Sequence, residues 1–260
     1  MPDSSDSPTP RPGVAANPVP IARADAQTRA ARIVGAAVAT ARQPKKKHEL
    51  PRYTLGEEIA NSITHGIGVA LAIAVLVVMI VKACLDGPHA AVLASAIAYG
   101  VTLILEYLAS TLYHAIAPRA AKRVLRIIDH SCIYLMIAGT YTPLCLVTLA
   151  NDGGVWLCIA VWAIAAAGIL FEALMRERQP LWLTIAIYLA MGWLVVFRLP
   201  QLIAALDPMA LALLLAGGIV YTVGTIFYML KNVRYMHSVF HVFVLVASVL
   251  QFLAVVLYVI

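Results

Sequence analysis

The last stretch of the chain, Tyr235–Ile260, reads YMHSVFHVFVLVASVLQFLAVVLYVI. Its apolar part carries no charge from residue 237 onward and has the length of a membrane-spanning helix. His237 and His241 are four residues apart and therefore share one face of that helix. Ionisable side chains inside a span are costly and mark function by default. The stretch thus predicts a transmembrane helix that begins with a candidate pair of metal ligands.

Composition predicts an integral membrane protein. Hydrophobic residues make up 62% of the 260 residues, against about 45–50% in a soluble domain. The formal charge of +6 does not require nucleic acid as a partner, because Lys and Arg are concentrated in the N-terminal segment and in some connecting loops. Membrane topology explains such a distribution first.

Residues 1–52 differ from the remainder of the chain. They hold eight of the 14 prolines and no large apolar cluster, so we expect a disordered, basic, Pro-rich tail. Within it, residues 24–42 are a candidate basic helix on the lipid surface. No apolar segment typical of a signal peptide follows the N-terminus. Residues 53–260 are predicted to form the membrane domain.

Seven apolar runs in that domain are long enough to cross a membrane. Their predicted bounds are 59–82, 90–115, 127–149, 154–174, 181–198, 208–230 and 237–259. The runs are too long and too evenly apolar for barrel strands, and their backbone polar groups must be satisfied within the segment. The fold class is therefore predicted to be all-α, a bundle of seven transmembrane helices, numbered here spans 1 to 7.

Charge predicts the orientation of this bundle. Of the 19 Lys and Arg residues, only Lys82 and Arg198 fall on the side opposite the tail. The positive-inside rule then places the N-terminus in the cytoplasm and the C-terminus outside, as an odd number of spans requires. Trp156, Trp182 and Trp193 are assigned to span ends, as interfacial aromatic residues.

Polar residues that are far apart in sequence fall at one depth in this topology. Ser110 and His114 share a face near the end of span 2. Asp129 lies just inside the start of span 3, and His237 and His241 lie in the first turns of span 7. All five are expected at the cytoplasmic end of the bundle. The span count did not presuppose this convergence, which makes it the strongest argument for a site.

The site predicted from these residues is a zinc centre. Three histidine ligands with a fourth position open are typical of catalytic zinc, and we assign His114, His237 and His241 as the ligands. Asp129 is expected beside the metal as a general base or as a hydrogen-bonding partner of a ligand. Ser110, one turn deeper than His114, is expected to hydrogen-bond a substrate carbonyl or a water molecule.

Other polar residues near this depth have simpler interpretations. His65, in the first turns of span 1, is interpreted as a buried packing residue rather than a ligand. His130 must point away from its neighbour Asp129 by roughly 100° on a helix and is left out. Glu106, four residues before Ser110, extends the polar face or is a protonated or paired carboxyl group within the bundle. The four cysteines lack zinc-type spacing and are interpreted as small apolar residues.

Four motifs in order along the chain resemble the hemolysin III family, bacterial members of the progestin and adipoQ receptor superfamily. They are EIANSITH (58–65), STLYH (110–114), DHSCIYLMIAGTYTP (129–143) and HSVFH (237–241). The resemblance covers residues 53–260. It implies a bacterial inner-membrane protein with zinc on the three histidines and with Asp129 and Ser110 beside it. Through the wider superfamily, it suggests hydrolysis of a lipid amide or ester.

Three functions remain open from the sequence. The first is a zinc-dependent, ceramidase-like hydrolase that acts on a membrane lipid. The second is a cytolysin or channel, although the spans carry few polar residues that would line an aqueous pore. The third is a sensor or regulator of membrane state, in which zinc only holds spans 2 and 7 together.

Overall fold

A computed structural model describes residues 50–260 except residues 52, 86, 88, 176–178, 231 and 232. The chain divides into residues 1–47 and 48–260, and the fold given below is that of the second part. The predicted disorder of the tail and the candidate helix over 24–42 lie outside the described residues.

Seven helices of the described part are long and apolar enough to cross a membrane. Their bounds are Leu55–Leu85, Ala90–Ala115, Arg119–Thr148, Gly154–Met175, Leu181–Ala205, Pro208–Met229 and Met236–Tyr258. No strand occurs among the described residues. The predicted all-α bundle of seven membrane-spanning helices is therefore confirmed.

Span 1 begins earlier than predicted, at Leu55 instead of residue 59. Thr54 and Glu57 form a capping box: the Glu57 carboxylate accepts from the Thr54 backbone N–H at 2.9 Å, and the Thr54 hydroxyl lies 3.4 Å from the Glu57 backbone N–H. This exchange satisfies donors that a helix N-terminus leaves unpaired. The charged first turn therefore belongs to the helix rather than to the preceding segment.

Span 3 also begins earlier than predicted, at Arg119 instead of residue 127. Residues 119–126 were assigned to a loop because they are basic, but Ala, Lys, Arg and Leu are strong helix formers. Arg119 and Arg123 are exposed on this extension. After Pro143 the backbone changes to a π-helix over Leu144–Thr148.

Span 5 is interrupted and longer than the predicted 181–198. It consists of an α-helix over Leu181–Gly192, a 3₁₀ turn over Leu194–Arg198 and an α-helix over Leu199–Ala205. Trp193 stands at the interruption, and its indole N–H donates to the Thr222 hydroxyl at 3.1 Å. The assignment of Trp193 to a span end was therefore wrong, because this residue ties the middle of span 5 to span 6.

Neighbouring spans pack closely, with one exception. Spans 1 and 2, 2 and 3, 3 and 4, and 6 and 7 are direct neighbours, and span 7 packs against span 1. Span 5 makes few contacts with spans 3 and 6. A cavity of about 130 Å³ lies in this loosely packed region. We call the end of the bundle where spans 1, 3 and 7 begin the site end.

Candidate metal centre

The three predicted ligands meet at the site end. Nε2 of His237 lies 3.3 Å from Nε2 of His114 and 3.2 Å from Nε2 of His241. All three rings are buried, and one ring nitrogen from each lies within 4.8 Å of the others. The structure thus brings together the residues from spans 2 and 7 that the sequence selected.

An acidic side chain from span 1 orients the His114 ring. Oε2 of Glu58 lies 2.7 Å from Nδ1 of His114, and Oε1 of Glu58 lies 2.5 Å from the Lys122 ammonium group. The His114 Nδ1–H therefore donates to the carboxylate, and the Nε2 lone pair faces the other two histidines. A carboxylate behind a histidine in this way fixes the tautomer of a metal ligand and raises its basicity.

The backbone of span 1 orients His241 in a similar manner. Nδ1 of His241 lies 3.3 Å from the carbonyl oxygen of Asn61, so its N–H donates to that oxygen. The Asn61 side-chain oxygen accepts from the Ser238 hydroxyl at 2.5 Å. Asn61 thus holds the first turns of span 7 in place while directing the Nε2 lone pair of His241 inward.

With these tautomers, the three facing nitrogens cannot all be joined by hydrogen bonds. His114 and His241 both present lone pairs to Nε2 of His237, which carries at most one proton and can donate across only one of the two gaps. Two nitrogens that are each about 2.05 Å from an ion at the tetrahedral angle lie about 3.3 Å apart. The observed separations match that value, so the arrangement suits a small cation.

Asp129 and Ser110 lie next to the histidine cluster. Both line a cavity of about 30 Å³, which we call the site cavity, together with His237 and His241. The Ser110 hydroxyl hydrogen-bonds to the Asp129 carboxyl group. The site cavity has room for about one or two water molecules, so a carboxyl group and a hydroxyl group face a small space next to the three histidines.

Tyr53, just before span 1, covers this site. Its ring stacks on His237 with centroids 5.2 Å apart and lies 5.6 Å from the His114 ring. Burial raises the pKa of the Tyr53 phenol well above its usual range, so the neutral phenol persists over the site at physiological pH. Pro51, assigned to the tail from sequence, also lines the site cavity.

His65 packs against the cluster, as interpreted from the sequence, whereas His130, which the sequence analysis left out, lines the site cavity together with Asp129. His65 stacks on His241 with ring centroids 3.6 Å apart, and it does not belong to the group of converging nitrogens. His130 instead reaches span 4, where its Nδ1 lies 3.1 Å from Oε1 of Glu172. Its backbone carbonyl accepts from the Tyr188 hydroxyl at 2.8 Å, which adds span 5 to this contact.

The sequence analysis missed the supporting role of span 1. It gave no function to Glu58 or to Asn61. A signal was present, because Glu58, Asn61 and His65 are spaced by three and four residues and therefore share one helix face. The Lys122–Glu58 ion pair could not be predicted in the same way, because residues 119–126 were assigned to a loop.

The four cysteines are free thiols.

Comparison with known proteins adds a further observation. A family model described as "Haemolysin-III related" matches residues 53–252. The chain is 44% identical over 206 residues to the "Hemolysin-3 homolog" of Bacillus subtilis, which covers 79% of this chain and 96% of that protein. It is 42% identical over 203 residues to "Hemolysin-3" of Bacillus cereus, covering 78% of this chain and 92% of that protein. Human "Monocyte to macrophage differentiation factor" is 24% identical over 164 residues, covering 60% and 67% of the two chains.

Proposed function

Because this chain belongs to the hemolysin III family, whose motifs coincide with the buried histidine cluster, we propose that it is a zinc-dependent hydrolase of a membrane lipid amide or ester. The observation that carries the proposal is the convergence of the Nε2 atoms of three buried histidines, since Nε2 of His237 lies 3.3 Å from that of His114 and 3.2 Å from that of His241. A cation relieves the repulsion of their lone pairs. Three neutral imidazoles are a donor set that zinc accepts readily.

The residues around the cluster fit hydrolysis. Zinc on three protein ligands with a fourth position open acidifies water and polarises a carbonyl group. In this proposal the Asp129 carboxylate accepts the proton from the attacking water. Ser110, hydrogen-bonded to that carboxylate, orients it. The acyl carbon gains the hydroxyl group, and the leaving nitrogen or oxygen receives the proton that Asp129 holds.

The cavity of about 130 Å³ beside span 5, which we call the acyl cavity, supports a lipid as the substrate. Its lining is largely apolar and comes mainly from spans 3, 5, 6 and 7, and it shares lining residues with the site cavity. A chain that occupies it would place its polar end next to Asp129 and Ser110. Membrane lipids are thus the proposed partners, and nucleic acid is not among them.

We further propose that the site end faces the cytoplasm of a bacterial inner membrane. Seven apolar helices and the family relationship make the chain a multi-pass membrane protein. The exposed Arg119 and Arg123 stand at the site end, and positive residues favour the cytoplasmic side.

Metal analysis tests the first part of the proposal. Purified wild-type protein is expected to carry one zinc ion per chain, and the His237→Ala/His241→Ala variant is expected to carry almost none. The matched control is His130→Ala, which removes a buried histidine outside the cluster and should leave zinc content unchanged. Wild-type protein without stoichiometric zinc after growth in zinc-containing medium would remove the metal assignment.

A second candidate function is a sensor in which zinc is only structural. His114 on span 2 and His237 on span 7 are joined at the cluster while both spans pack against span 1, so a metal ion would hold the two helices together. Asp129→Asn separates the candidates. A hydrolase loses lipid turnover, followed by mass spectrometry of membrane lipids, while it keeps zinc and thermal stability. Unchanged turnover would favour the structural role.

A further inference from the structure

Five residues line both the site cavity and the acyl cavity and therefore form the neck between them. They are His65, Glu106, Ile133, Tyr228 and Phe240. Ile133 and Phe240 contribute apolar surface, and the Tyr228 hydroxyl lies 3.4 Å from the His130 ring. The remaining two, His65 from span 1 and Glu106 from span 2, are almost completely buried at 1% and 3% exposure.

Both of these buried residues have polar atoms without a hydrogen-bond partner among the described residues. They are both ring nitrogens of His65 and Oε2 of Glu106. The His65 ring is packed against two other rings. It stacks on His241 and makes an edge-to-face contact with Tyr107, with ring centroids 5.1 Å apart. Those contacts leave the nitrogens at the ring edge unsatisfied. Buried polar atoms are nearly always paired, and an unpaired group in an apolar environment is costly.

The position of these atoms indicates which part of a bound lipid would meet them. The scissile carbonyl belongs beside Asp129 in the site cavity, and the hydrocarbon chain belongs in the acyl cavity. The neck between the two is then occupied by the first few carbons of the acyl chain. A plain hydrocarbon there would leave the His65 nitrogens and the Glu106 oxygen unpaired.

We propose that His65 and Glu106 bind a hydroxyl group on the second or third carbon of the acyl chain, so that the preferred substrate is a hydroxyacyl lipid. A hydroxyl group is both donor and acceptor, and a neutral imidazole and a carboxyl group offer complementary atoms to it. This inference rests on the proposed function for the identity of the acyl cavity, but it concerns specificity and not the chemical step.

Competitive binding tests the proposal without requiring turnover. Full-length protein in detergent micelles is mixed with equal concentrations of hexadecanoic acid and β-hydroxyhexadecanoic acid, and native mass spectrometry counts the two adducts. The hydroxylated acid should be favoured about tenfold, as a hydrogen bond to an otherwise unpaired buried group predicts. Equal adducts, which would mean that water alone satisfies the neck, would overturn the proposal, as would the absence of both adducts.

Variants test whether His65 and Glu106 are responsible for a preference for the hydroxylated acid. Glu106→Leu and His65→Phe, which keeps the stacked ring, should each reduce the preference to near one, while Glu106→Gln should retain part of it. The matched control is Thr140→Val, which alters another lining residue whose hydroxyl already donates to the Met136 carbonyl at 2.8 Å. A preference that persists in both Glu106→Leu and His65→Phe would indicate chelation by the metal and would contradict the neck assignment.

The two proposals fail in different ways. Loss of stoichiometric zinc in the wild-type protein removes the hydrolase but leaves the adduct ratio measurable. A zinc-loaded protein that turns over lipids without discriminating hydroxylated chains removes only the assignment of His65 and Glu106.

Discussion

At the scale of single residues, Glu58 orients one histidine of the proposed metal site. Its carboxylate fixes the Nδ1 proton of His114 and is itself held by Lys122. We predict that Glu58→Gln weakens zinc binding by about 10- to 100-fold, the usual effect of removing such a carboxylate behind a histidine ligand. Competition with a chromogenic chelator measures this affinity.

The neighbouring Glu57 provides the control for that prediction. Its carboxylate bonds to Thr54 and to the Tyr235 backbone N–H at 2.9 Å, and no bond joins it to a histidine of the cluster. Glu57→Gln should weaken the helix cap and leave zinc affinity within about twofold of wild type, because its effect on the ligands is indirect. Equal losses of affinity in both variants would contradict the specific role of Glu58.

At the scale of helices, spans 1 and 2 approach closely because Gly68 lacks a side chain. A Cβ atom at this position would lie 2.4 Å from the Tyr107 ring, and Tyr107 is held by a 2.7 Å hydrogen bond to Ser248 of span 7. We predict that Gly68→Ala costs about 1–3 kcal/mol through overpacking. A lower midpoint of thermal unfolding in detergent measures the effect.

Gly66, two residues earlier on the same helix, is the matched control. A Cβ atom there has its nearest neighbour, Cγ2 of Thr111, at 3.9 Å, which is an ordinary contact distance. Gly66→Ala should leave the unfolding midpoint unchanged or slightly raised, since Ala is the better helix former. A loss comparable with that of Gly68→Ala would show that glycine itself, and not the Tyr107 contact, matters at these positions.

At the scale of the whole molecule, the orientation of the bundle determines which compartment the site meets. We predict that Ala120→Cys, at the exposed start of span 3, reacts with a membrane-impermeant maleimide only in inverted vesicles. Asp152→Cys, between spans 3 and 4, should react only in intact cells whose outer membrane has been permeabilised. Both positions are exposed, and both substitutions are made with Cys84→Ala to remove an exposed native thiol. The reverse labelling pattern would place the site end outside.

The seven-helix fold and the convergence of the three histidines were both accessible from the amino-acid sequence, for two physical reasons. A lipid environment requires each span to satisfy its own backbone, so length and apolar composition nearly determine a spanning helix. Alternation of direction then places His114, Asp129 and His237 at one depth without any knowledge of packing. Span bounds were less accurate, because span 1 begins with a charged turn capped by Thr54 and span 3 begins with basic residues from Arg119 onward, and composition alone assigns both to loops.

Only the tertiary structure decided which residues surround the ligands. Depth is a single coordinate, whereas a hydrogen bond depends on helix rotation and on which spans are neighbours, and both follow from side-chain packing. Span 1 therefore entered the site unforeseen, with Glu58 behind His114 and the Asn61 carbonyl behind His241. Packing also creates the neck at His65 and Glu106. Span 5 packs loosely and leaves a cavity beside these residues, and no local pattern in the sequence predicts such a cavity.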